Sequence, residues 1–381
     1  VVGYHYTTYD IVGNLPANAP SVAGTRALEE HFPAGITGPV TVLLVNNKVD
    51  FSTERGRALA EELTGQLRDQ REELGLADLR SVTAPLGITQ AAERVFTGLD
   101  VPKEAIQKAI QQEAIARYTT DFGERAKIGT RIDLILNQNP FSRQSIDNFE
   151  RVERVVQAAL PAELQESQLY FIGPTAGIRD LRNVVGRDQT RIEILVLAGV
   201  FVILFLLLRR LIISLYLIVS VLFSYYATLG VAVAVFWLLD PTGFAGIDWK
   251  VPLFLFTILI AVGEDYNIFL MTRIDEEQRR RGPLHGITEA LVRTGPIISS
   301  CGIIMAGTFA SLLAGSLTEM KQLGFALAFG VLLDTFVVRP ILVPAFLILL
   351  QTGRLRPSAW RRSVPAAEAR TDLSSPTRSS S

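Results

Sequence analysis

The sequence predicts a two-part fold. An α+β domain of the ferredoxin-like, split βαβ type lies outside the cytoplasm, and an all-α transmembrane helix bundle follows it. Three observations carry that expectation. Residues 1–190 mix charged and apolar side chains as a water-soluble domain does, whereas residues 191–351 are dominated by long apolar runs. The first part reads in the order β-α-β-β-α-β, which is that of the split βαβ arrangement. In the second part, arginines gather in alternate loops, the signature of a multi-pass protein with a defined orientation.

Taken in order, Asn14–Pro20 is a proline-punctuated irregular stretch. Val40–Val45 is short and mostly apolar, a strand. Ser52–Glu73 carries Ala58, Leu59, Leu63 and Leu67 on one helical face. Leu79–Val82 is a second strand. Residues 84–125 form an insertion with a helix over Pro102–Tyr118, its proline in the first turn. Ala126–Leu136 is a third strand, Ser142–Leu160 a helix and Leu169–Ile172 a fourth strand. A fold of this order hosts many functions and names none. No Gly-rich phosphate loop, nucleophile elbow or His-Glu metal motif occurs in this part, which leaves binding and gating as its expected roles.

Five spans are expected after residue 190: 194–208, 211–239, 251–271, 295–315 and 323–350. The first two are separated only by Arg209-Arg210. A single helix over both would measure about 68 Å, more than twice a ~30 Å hydrocarbon core, so the chain must turn at the arginines. Arg209, Arg210, Arg273, Arg279, Arg280, Arg281 and Arg293 fall on one side, joined by Arg354, Arg356, Arg361 and Arg362. The opposite loops, 240–250 and 316–322, offer only Lys250 and Lys321. Arginine excess marks the cytoplasm, so the α+β domain is expected outside and the C-terminus inside a cell (cytoplasmic) membrane. The tail, 352–381, is rich in Arg, Ser, Pro and Ala and is expected to be disordered.

Composition narrows the chemistry. The 381 residues are 49% hydrophobic with a net charge of −1, and no basic face points to nucleic acid. Cys301 is the single cysteine, and His5, His31 and His285 are scattered, so no metal site or cofactor is expected. The chain begins at Val1, not Met, and shows no signal peptide, which suggests a piece of something longer.

The third span carries Glu264, Asp265 and Tyr266 inside its apolar run. Asp265 lies roughly 21 Å from Val251, past the midplane of the bilayer. An ionised side chain there costs at least about 2.5–3.5 kcal/mol, so it is kept for proton or ion handling, or as a pin that fixes helix packing. Glu264 leaves the helix about 100° from Asp265. Gly302, Ala306, Ala310 and Ala314 form a small-residue stripe for close helix approach, while Ser300, Gly307 and Ser311 form a second strip able to offer hydroxyls. In the fifth span Asp334 reaches a similar depth, either as a structural partner or as part of the polar site. Arg339, five residues on, is roughly 140° around an α-helix, so an Asp334–Arg339 pair within that helix is not expected.

Gly263-Glu264-Asp265-Tyr266-Asn267-Ile268-Phe269-Leu270-Met271-Thr272-Arg273, together with Gly330-Val331-Leu332-Leu333-Asp334-Thr335-Phe336-Val337-Val338-Arg339-Pro340, resembles the MMPL family of the resistance–nodulation–division (RND) superfamily. The stretch from Leu15-Pro16 to Phe32-Pro33 is similar too. The resemblance implies the second, C-terminal repeat of a transporter built from two. Residues 1–190 would be its extracytoplasmic porter domain and the leading span would be missing. It also implies a proton relay at Asp265 and Tyr266, with Glu264, Ser300, Asp334 and Arg339 as possible polar partners. The function it implies is half of a proton-driven exporter of lipids or other hydrophobic compounds, drug efflux included. Its partners would be protons, the substrate, and an N-terminal repeat or a second copy. Two rival readings are a non-transporting relative that assists protein export or scaffolds lipid synthesis, and an intramembrane aspartyl protease using Asp265 and Asp334. The local Gly263-Glu264-Asp265 departs from the Gly-x-Gly-Asp pattern of such proteases.

Overall fold

A computed structural model describes residues 7–87, 103–120, 127–241 and 243–352. Its contacts divide the chain into two compact units. One comprises Val1–Ala198, Ala227–Ile258 and Thr308–Ala328; the other comprises Gly199–Tyr226, Leu259–Gly307 and Phe329–Ser381.

The first unit is built on a sheet. Strands β2 (Val40–Val45), β3 (Leu76–Arg80), β5 (Gly129–Leu136) and β6 (Gln168–Ile172) run in the order β3-β5-β2-β6, every neighbour antiparallel. That is the split βαβ order expected from sequence, with a two-residue strand β4 (Thr119–Thr120) added against β5. Strand β2 alternates buried and half-buried residues, so Val40, Val42 and Leu44 face the core while Thr41 and Leu43 face away. Helices α2 (Glu54–Asp69) and α4 (Arg143–Ala158) cover that core face. Helix α2 starts where the Thr53 hydroxyl accepts the Gly56 amide, and buries Ala60, Leu63 and Leu67. Helix α4 starts at Ser142, which accepts the Ser145 amide, and buries Ile146, Phe149, Val152 and Val156. Between them in sequence lies α3 (Lys103–Tyr118).

Two features of this unit were not expected. Helix α1 (Pro20–His31) follows the irregular stretch, with its proline in the first turn. A two-residue strand β1 (Thr7–Thr8) pairs in parallel with β7 (Ile247–Asp248). The Asn14 amide bonds the Asp248 carboxylate at 2.6 Å, and Gln322 accepts from the Asp248 amide at 2.8 Å.

Five helices are long and apolar enough to cross a membrane. They are α5 (Pro174–Leu208), α6 (Leu211–Leu239), α7 (Lys250–Arg281), α8 (Pro283–Ala310, continued by a 3₁₀ turn to Ala314), and the run Thr318–Gln351. The chain is a multi-pass membrane protein. It turns between α5 and α6 at Arg209, whose φ of 51° is left-handed. The helices outrun the apolar stretches that announced them. Helix α5 begins twenty residues before Ile194. The stretch 274–290, expected to be a loop, is helical on both sides of Gly282, whose φ of 85° reverses the chain in one residue. Charge pairing extends α7 past its apolar run, since Arg273, Arg280 and Arg281 all reach Glu276 or Glu277 within one turn. The C-terminal tail expected to be disordered lies, from residue 353, outside the described residues, as do much of the 84–125 insertion and Ala126.

Candidate functional site

The last long helix is not α throughout. It runs as α9 (Thr318–Leu333), a π-helical segment (Asp334–Leu342) and α10 (Val343–Gln351). Pro340 sits inside the π segment. A proline has no amide proton to give and its ring crowds the carbonyl four residues back; a wider turn relieves both. A π-helix closes on i→i+5, so residues five apart come to lie on one face.

That corrects the expectation for Asp334 and Arg339. They form a buried ion pair within the same helix. The 140° separation assumed an α-helix, and the π register removes it. Both side chains are about 2% exposed, and the Arg339 guanidinium also donates to the Gly263 carbonyl at 3.4 Å. Its carbon lies 4.6 Å from the centre of the Tyr266 ring, a cation–π distance.

Helix α7 supplies the other side of the cluster. Gly263 and Glu264 are buried, Asp265 is exposed, Tyr266 is half-buried and Asn267 is buried. The Asn267 amide donates to Glu264 at 3.5 Å, the long end of a hydrogen bond. Gly263 brings the α7 backbone close to Asp334: a side-chain carbon there would lie 3.7 Å from the Asp334 carboxylate. On α8, Gly302 does the same for Thr335. A β-carbon at 302 would fall 2.7 Å from the Thr335 methyl and 3.0 Å from its β-carbon, so glycine is required at this crossing.

The cluster is under-bonded. Among the described residues, Asn267 Oδ1, Asp334 Oδ1, Thr335 Oγ1, Arg339 Nε and Ser224 Oγ are buried without a hydrogen-bond partner. Buried polar atoms are nearly always paired, and such a concentration of exceptions marks a place where protons or water belong.

Of the residues singled out from sequence, Tyr266, Glu264, Asp334 and Arg339 meet in this cluster. Asp265 does not: it points outward into an open concavity of about 390 Å³, shared with Tyr266, Phe269 and Met305. Tyr266 joins the two places, with its ring against Arg339 and its hydroxyl 3.4 Å from Met305 Sδ. Ser300 stays apart; its hydroxyl bonds the Ile297 carbonyl of its own helix. Asn267 and Thr335 were missed. Asn267, three residues after Glu264 in an apolar run, is a signal the sequence did carry.

A ring of ions lies further along α7 and α8. Glu277 is 1% exposed and is approached by Arg273 at 2.8 Å and by Arg281 and Arg293 at 3.6 Å. These contacts hold the helical hairpin closed around Gly282.

Five apolar helices enclosing acidic and basic side chains define a polytopic membrane protein with an ionisable core. The chain belongs to the MMPL family: the family model matches residues 14–372. A membrane protein of Streptomyces coelicolor is 36% identical over 87% of this chain and 39% of its own length. The apo-petrobactin exporter of Bacillus anthracis is 29% identical over 90% of this chain and 39% of that protein. The "probable transport protein MmpL10" of Mycobacterium leprae is 32% identical over 83% of this chain and 30% of that protein. The chain thus spans less than half the length of these relatives.

Proposed function

We propose that the chain is one half of a proton-coupled exporter in the RND manner. Asp265 and Tyr266 would form the relay, and residues 1–190 a porter domain that handles a lipid or another hydrophobic compound outside the cytoplasm. Family membership and relatives named as an exporter and a transport protein support the transport reading. The observation that carries proton coupling is the pairing of an outward carboxylate with a buried ionic cluster through one aromatic ring. Asp265 has no ion pair or hydrogen bond among the described residues, though it lies within a membrane-crossing helix. A charge left on a lipid-facing surface is costly, so Asp265 is expected to meet a second repeat or a second copy of this chain. Neutralising it would remove that cost and change what Tyr266 and Arg339 experience, which is the kind of event a relay needs.

The test is export of a fluorescent lipid analogue by the full-length protein in proteoliposomes with an imposed pH gradient. Asp265→Asn is expected to abolish gradient-driven export while insertion and melting stay near wild type. Tyr266→Phe is expected to have an equal or smaller effect. Near wild-type export by Asp265→Asn with the gradient intact would overturn proton coupling through this residue. A fall in stability in step with activity would instead mark it as a packing pin.

A further inference from the structure

The sheet-bearing unit holds a cavity of about 1120 Å³, large for a small-molecule site. Its walls come from β1, the start of α4 and the first turns of α5. Helix α5 contributes two adjacent rows, Arg182, Gly186 and Thr190, and Asn183, Arg187 and Arg191, each at intervals of about one turn. Arg143 of α4 adds a fourth guanidinium.

The lining is unbalanced in charge. Against four arginines it offers Asp10 and Asp147. Asp147 is shared, 2.8 Å from Arg182 and 3.8 Å from Arg143, and Arg182 also lies 3.7 Å from Glu150. Asp10 is already engaged by the Gly13 amide at 2.9 Å. Arg191 has only the exposed Asp188 at 3.8 Å, and Arg187 has no ion pair among the described residues. The cationic end is therefore at Arg187 and Arg191. Tyr9, Phe141 and Ile146 supply an apolar wall.

Position along α5 identifies the source of a ligand. Arg187 and Arg191 precede Ile194, where the apolar run begins, by about 10 Å and 5 Å along the axis. That is the depth of lipid headgroups at a membrane boundary. Gly186 keeps the wall open, since a β-carbon there would meet nothing within 4 Å.

We propose that this cavity is a binding site for the headgroup of an anionic lipid. Arg187 and Arg191 hold its phosphate or carboxylate, and Phe141, Ile146 and Tyr9 receive the first part of its apolar body. Guanidinium groups suit this task because their forked donors match phosphate and carboxylate oxygens. The proposal deepens the export reading by naming a substrate class, and it rests on that reading only for the purpose of the site. Binding itself needs no gradient.

The test uses the purified chain in neutral detergent, titrated with dihexanoyl phosphatidylglycerol, with dihexanoyl phosphatidylcholine and inorganic phosphate as comparison ligands. Trp249 stacks on Tyr9 at 5.9 Å and reports occupancy by its fluorescence. The anionic lipid is expected to bind at least tenfold more tightly than either comparison ligand. Arg187→Gln combined with Arg191→Gln should weaken it at least tenfold and leave phosphatidylcholine unchanged. Gly186→Leu should fill the cavity and abolish binding, with melting unchanged or raised because glycine is a poor helix residue. Wild-type affinity in either variant, or phosphate binding as tightly as the lipid, would overturn the proposal. If export proves independent of a proton gradient while this binding pattern holds, the export mechanism fails and the site stands.

Discussion

The sheet core of the first unit and the polar core of the second solve burial in opposite ways. Around β2 and β5 the buried side chains are Val42, Leu44, Ile132 and Leu134, packed on Leu63, Leu67, Phe149 and Val152. Around Asp334 the buried side chains are Arg339, Glu264, Asn267 and Thr335, several with atoms left unbonded. The first core draws its stability from area removed from water and tolerates loss of shape only in proportion to volume. The second depends on charges that stabilise one another, and each becomes a liability if its partner is removed. A core of the second kind is a poor way to hold helices together and a good way to make their packing answer to protonation.

The largest effect expected from this contrast is at Arg339. Arg339→Leu leaves Asp334 as a lone buried charge and should cost about 3–5 kcal/mol, read as melting in detergent. Adding Asp334→Leu should recover most of that loss, because the pair is then replaced by apolar volume. A double variant no more stable than the single one would show that the ion pair is not what Arg339 supplies. Phe149→Ala in the sheet core should lose a similar amount, but no second apolar substitution at a distance can restore it.

A middle effect is expected at the α8 crossing. Gly302→Ala places a carbon against Thr335 and should cost about 1–3 kcal/mol through displaced helices. Unchanged melting would mean that the crossing has slack. The smallest effect sits at the edge of the sheet unit, where Thr53→Ala removes the cap of α2 and should cost about 1 kcal/mol. Export should be indifferent to that change if the polar core alone responds to protons.

How far these cores could be read in the sequence follows from their physics. The sheet core was legible because alternation over 40–45 and helical spacing of Ala60, Leu63 and Leu67 are local patterns. The five spans were legible because apolar length is a sum over neighbours. Helix α1 was missed because its burial is slight: only Val22 is fully covered. The extension of α7 to Arg281 was missed because hydropathy falls there, although charges four apart at Glu276, Glu277, Arg280 and Arg281 spelled a helix. The Asp334–Arg339 pair was read as excluded because α periodicity was assumed where Pro340 imposes another. In the candidate site, the acidic and aromatic residues stood out by being polar in an apolar run. Which of them face inward depended on that same register.

The π segment has a consequence for the lineage of the chain as well as its chemistry. A π turn is an α turn with one residue to spare, and it marks the place where a helix has absorbed an insertion without breaking. Shorten the stretch between Asp334 and Arg339 by one, and the two charges stand four apart, the spacing at which an ordinary α-helix pairs them. The pair would survive the deletion. Everything after it would turn by about 100°, including the ring of Phe346 that stacks on Tyr216. The spare residue thus sets the rotational phase between the charged half of this helix and its aromatic end, and a descendant that lost it would keep its ions and misplace its rings.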